Sequence, residues 1–154
     1  MTKIGSLQGR TVYWIDYSKF DFSNLPKENW LCMARCDKKP DLKKFESFVS
    51  KSIDHQILEF KGFGAFGEYL HHYFDDAIIE THTNSDKYLD IATTCHTDET
   101  YADTFWQCFF ATTLTGCTDF DNITIVCTDL DGNNRSEELK EYLNKFREGW
   151  IPEE

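Results

Sequence analysis

The chain has 154 residues, is 40% apolar and 16% aromatic, and carries a formal net charge of −11. That length and aromatic content fit a single α/β-sized domain over residues 1–154 with a real core and exclude intrinsic disorder; the acid excess excludes binding DNA or RNA through a broad basic face. Met1–Arg10 lacks the apolar core of a signal peptide, and no apolar run approaches the roughly 20 residues that span a bilayer, so a cytoplasmic, non-membrane protein is expected.

In chain order, Thr11–Tyr17 is rich in β-branched and aromatic residues and reads as a strand. A polar loop with Pro26 leads to a second strand at Trp30–Cys36. Asp41 is placed to cap a helix whose apolar face is Leu42, Phe45, Phe48, Val49 and Ile53. Ile57–Lys61 is a third, short strand, and Gly62–Gly67 a glycine turn. Tyr69, Leu70, Tyr73, Phe74, Ala77 and Ile78 recur at helical spacing. Tyr88–Thr94 is the fourth strand, and Asp98 or Thr100 caps a helix carrying Tyr101, Phe105, Trp106, Phe109 and Phe110. Ile123–Thr128 is the fifth and most apolar strand; a helix over Ser136–Glu148 ends at Gly149.

From the second strand onward, strands and helices alternate. This predicts a three-layer α/β sandwich: a mostly parallel sheet of about five strands with helices on both faces, in a Rossmann-like or flavodoxin-like arrangement. The first strand, with no helix before the second, is expected as an edge addition.

Six cysteines include no C-x-x-C pair, and Cys32, Cys95, Cys108 and Cys127 lie in apolar segments, so buried reduced thiols are expected. Cys95-His96 suggests a nucleophile and base, but neighbours on a strand point to opposite faces. His71-His72 lies on one helix with ring positions about 100° apart, which argues against a shared metal.

Gly62-Phe-Gly64-Ala-Phe-Gly67 matches G-x-G-x-x-G between a strand and a helix, the setting of a dinucleotide fingerprint. Gly62, Gly64 and Gly67 are therefore candidate nucleotide-binding residues, although the two phenylalanines fit a tight turn packed on the core. Asp129-Leu-Asp131-Gly132 follows the best strand, at the sheet edge where α/β proteins bind ligands, and its paired acids suit Mg²⁺. It resembles the D-x-D-G of haloacid-dehalogenase-type phosphatases over Ile123–Gly132. That family carries the motif on its first strand, whereas only 22 residues follow Gly132 here. Extended to Leu143, the segment also resembles the D-x-D strand–helix of Toprim nucleases and primases. That resemblance implies a Mg²⁺ site of Asp129, Asp131 and a glutamate ending an earlier strand, for which Glu59 is the nearest candidate.

The most informative feature is electrostatic. Between Tyr69 and Asp131 there are twelve acids and one base, which is the whole net charge; the flanks hold fifteen of each sign. A one-sided field selects and steers basic partners. Asp75, Asp76, Glu80, Asp98, Glu99 and Asp103 are the candidate partner-binding residues. The expected function is a small acidic cytoplasmic protein that masks a basic protein, of the inhibitor or immunity type, requiring no cofactor. The alternatives are a Mg²⁺-dependent phosphoryl-transfer or nuclease-type enzyme and a nucleotide-binding protein.

Overall fold

A computed structural model describes residues 1–85 and 89–153. Asp86, part of the acid-rich stretch, and Tyr88, the expected start of the fourth strand, lie outside them.

The chain opens with a hairpin, β1 (Thr2–Leu7) and β2 (Arg10–Trp14). Gln8 and Gly9 both have positive φ, the two-residue turn whose twist suits paired strands. Then come β3 (Trp30–Arg35), α1 (Leu42–Asp54), β4 (Glu59–Phe63), α2 (Gly67–Ser85), β5 (Ala92–His96), α3 (Tyr101–Phe110), β6 (Ile123–Asp129) and α4 (Ser136–Arg147). The six strands run in the order β1-β2-β6-β3-β4-β5, and only β1 is antiparallel. The protein is thus a three-layer α/β sandwich with a mostly parallel sheet. The edge addition is a hairpin rather than one strand: β1 takes the rim, and β2 lies between it and β6. β1 escapes the sequence pattern because it is polar and interrupted by Gly5. It is held from outside, where Leu143 and Arg147 of α4 close over Gly5 and Arg147 Nη2 donates to Ser6 O at 2.9 Å.

The handedness of parallel crossovers sets the layers. The chain steps outward from β3 to β4 to β5 through α1 and α2, so both pack on one face. It then returns through α3 to β6 on the other side of β3, which puts α3 and α4 on the opposite face. Two cores result. Phe45, Phe48, Phe60, Leu70 and Phe74 fill the α1–α2 side with Trp30, Cys32 and Ala34 of β3. Phe105, Phe109, Leu139, Leu143 and Phe146 fill the other with Leu31 and Met33. β3, central and covered on both faces, is apolar at five successive positions, as buried parallel strands are. Trp30 is fully buried, with its Nε1 donating to His55 O at 2.8 Å.

β4 sits two residues later than the sequence pattern suggests, and β5 starts four residues later and ends two later. Backbone pairing of Leu58 with Trp30 and of Ala92 with Leu58 sets the register, and Gly62 and Phe63 join the strand instead of the turn. The cysteines form no disulfide; Cys32, Cys36, Cys108 and Cys127 are buried, but Cys95, on the edge strand, is exposed.

Candidate functional site

The reversal of chain direction puts a topological switch point between β3 and β6, where open α/β sheets bind ligands at the strands' carboxyl ends. In this protein the chain itself fills that crevice. Asp131 accepts the backbone N–H of Asp37 at 2.7 Å and of Lys38 at 3.2 Å. Asp129 accepts Arg135 Nε at 2.7 Å and the Asp131 amide at 2.8 Å. The Arg35 and Arg135 guanidinium groups lie 5.4 and 5.8 Å from the ring centre of Tyr101, within cation–π reach. Burial pushes the Tyr101 phenol well up from its ordinary pKa, with Cys127 and Glu138 adding to the shift.

Glu59 does not join the two aspartates. It pairs in register with Leu31 and hence with Ile125, whereas Asp129 pairs with Arg35, four residues further on. That is about 13 Å along the strands. Instead Glu59 is buried beneath α3 in an ion pair, with Lys61 Nζ at 2.9 Å, and it also accepts the Thr113 amide at 3.2 Å. The three carboxylates of the Toprim-like expectation are therefore not assembled.

Gly62, Gly64 and Gly67 do come together, for close packing. Gly64 has φ +92°, and a Cβ there would meet Asp37 Oδ1 at 2.6 Å; a Cβ on Gly62 would meet Gly67 O at 2.4 Å. The amides a diphosphate would need are already donated: Ala65 to Asp37 Oδ1, Phe66 to Cys36 O, and Gly67 to Gly64 O. Asp37 holds the place of the anion at the start of α2. Burial works against its charge, but the Ala65 amide and Arg35 outweigh that and hold the carboxyl below its usual range. Phe63 packs in the α3–α4 core and Phe66 against the α1–α2 core, so the turn clamps both layers.

The six partner-binding candidates divide among three places. Asp76 and Glu80 of α2 face Glu46 and Asp54 of α1 across a groove of about 330 Å³. Its floor is Val49, Ile53, Tyr73 and Ala77, and among the described residues no lysine or arginine lines it. Among the described residues none of these four carboxylates is in an ion pair. The field is felt by Tyr73, whose phenol pKa is raised by desolvation and by Glu46, Tyr69 and Glu80. Asp75, next to Asp76 in sequence, turns the other way and accepts the Thr93 hydroxyl on β5.

Asp98, Glu99 and Asp103 lie on the opposite face of the sheet. With Trp106 and Gln107 they line a concavity of about 490 Å³ beside α3. Thr100 caps this helix, accepting the Asp103 amide at 3.1 Å. Behind the carboxylates, buried His96 has Nδ1 2.6 Å from Glu99 Oε2 and Nε2 2.8 Å from the Thr94 hydroxyl. Gln107 Nε2 bridges Glu99 at 2.7 Å and Asp103 at 2.8 Å. Burial opposes the Glu99 charge, but the His96 bond and charge, then Asp103 and Gln107, outweigh it and keep its carboxyl low. Hydroxyl, imidazole and carboxylate stand in the order of a nucleophile relay. Thr94, however, is opposite Lys61 within the sheet and does not line the concavity; the carboxylates do. Cys95 and His96 point to opposite faces, and desolvation with Glu68, Asp98 and Glu99 raises the Cys95 thiol pKa, the reverse of an activated nucleophile.

Glu46 and Asp54 escape sequence reasoning because they belong to the charge-balanced flank. Their spacing along the Val49–Ile53 face of α1 is the signal that marks them. Among the described residues, no helix is long and apolar enough to cross a membrane.

The molecule is thus a mostly parallel α/β sandwich with a self-filled switch point and two acidic concavities. Residues 12–146 match the DUF7684 family, described as a domain of unknown function, and the chain belongs to that family. No curated protein and no solved structure matches it.

Proposed function

We propose that this is a cytoplasmic binding protein that masks a basic protein partner, in the manner of an inhibitor or immunity protein, and that the α1–α2 groove receives a cationic segment of that partner. The groove carries this reading: four carboxylates, none of them ion-paired among the described residues, rim an apolar floor, with no base among the described lining residues. An amphipathic segment bearing Lys or Arg matches such a surface on both counts. Its apolar side covers Val49, Ile53 and Ala77, and its charges meet carboxylates that have no internal partner to give up. The crowded like charges repel one another in the free protein, so a cation relieves repulsion as well as making new pairs. The acidic concavity at α3 has less to offer, because Glu99 and Asp103 are already bonded to His96 and Gln107.

The test is capture of partners from native cells, with candidates purified and titrated against the protein at several salt concentrations. A partner of high pI is expected, with affinity falling as salt rises. Asp76→Asn/Glu80→Gln weakens capture and flattens the salt dependence, while Asp98→Asn leaves both unchanged. Recovery of nothing basic, or binding that ignores salt, overturns the proposal.

A further inference from the structure

We propose that His71, His72 and Asp75 form a binding site for a borderline divalent cation of the zinc class. The site lies on the side of α2 that faces β5, away from the acidic groove, and does not depend on the function proposed for that groove.

One ligand atom from each of the three side chains falls within 4.8 Å of the others. His71 Nε2 and Asp75 Oδ2 are 3.5 Å apart. Two ligands on a tetrahedral ion with bonds of about 2.0–2.1 Å stand about 3.4 Å apart, so this pair already has the required separation. Although neighbours on a helix diverge, the two imidazole rings tilt together to a centroid distance of 5.0 Å.

A further observation orients the ligands. The Thr93 hydroxyl donates to Asp75 Oδ1, which orients the carboxylate and leaves Oδ2 toward His71. This is the outer-shell support that fixes metal-binding carboxylates. Glu68 Oε1, 3.4 Å from His72 Nε2, steadies the second ring. Two imidazoles and one carboxylate suit Zn²⁺ and its neighbours better than Mg²⁺ or Ca²⁺, which prefer oxygen ligands only. Three protein ligands leave a fourth position open to solvent.

The experiment is calorimetric titration of the full chain with Zn²⁺, using Mg²⁺ as the hard-cation control. Expected is saturable one-to-one Zn²⁺ binding at submillimolar concentration and much weaker binding of Mg²⁺. His71→Ala lowers the affinity by at least about tenfold. His72→Ala, at an exposed position that folding does not need, does the same. Cys95→Ser, which removes the exposed thiol, leaves it unchanged. Absence of saturable binding, binding that survives both histidine substitutions, or binding abolished by Cys95→Ser overturns the proposal.

Discussion

Glu59 and Lys61 are each 1% exposed, and their ion pair has its tightest contact at 2.9 Å. Glu59→Gln keeps an oxygen for the Thr113 amide but leaves a buried ammonium that still donates to Ala111 O at 3.5 Å. Removing one member of a buried pair costs about 3–5 kcal/mol, because the other charge stays desolvated. For a chain of this size that lowers Tm by about 6–20 °C. Lys61→Met costs less than Glu59→Gln, since Glu59 still feels the Arg10 guanidinium. The double variant Glu59→Gln/Lys61→Met leaves no naked charge and loses only ~1 kcal/mol of hydrogen bonding. It is therefore more stable than either single variant. Equilibrium urea unfolding with a double-mutant cycle measures this. Single variants costing under ~1 kcal/mol, or effects that simply add, would refute a structural role for the pair.

Gly64→Ala forces a side chain into positive φ and against Asp37 Oδ1, so it costs about 1–3 kcal/mol, read as a lower urea midpoint with an unchanged m-value. The acid limb of stability follows Asp37 and Glu99. Both carboxyls lie below their ordinary pKa when folded, so their contribution is complete above the unfolded-state pKa and is lost as pH falls through the folded value. The urea midpoint should hold from neutrality to about pH 5 and drop below about pH 4, with a shallower drop in Asp37→Asn; a midpoint that rises on acidification contradicts this.

Much of the fold was legible because its signals are local. Asp41 caps α1 by accepting the Lys44 amide at 3.2 Å, Thr100 caps α3, and Gly149 leaves α4 with φ +87°. The apolar stripes of α1, α3 and α4 point into the cores, as their spacing predicts, except for Leu42 and Phe110, which are exposed at the helix ends. What was illegible depends on neighbours far along the chain. Nothing local distinguishes Asp75 from Asp76, yet one bonds β5 and the other rims the groove, because α2 packs against both β5 and α1. His71 and His72 converge through ring tilt, which residue spacing does not encode. Glu59 reads as a ligand candidate only until Lys61, two residues on and on the same face, claims it. β1 is held by α4, more than a hundred residues later.

The internal bonding of the acids separates two kinds of carboxylate. At the switch point, Asp37, Asp129 and Asp131 accept amides and guanidinium groups from their own chain, so an incoming ligand would have to displace these bonds one by one. In the α1–α2 groove, Glu46, Asp54, Asp76 and Glu80 are in no ion pair among the described residues. A binding surface gains most where its charges meet a partner without first breaking bonds at home. That reasoning puts recognition in the helical layer rather than at the sheet edge, and it sets the order of the variants. Neutralising Asp131 should loosen the Asp37–Lys38 turn, with a loss of stability that any partner affinity merely follows. Neutralising Asp76 and Glu80 should weaken binding while leaving stability equal or higher, because it removes repulsion and no internal bond.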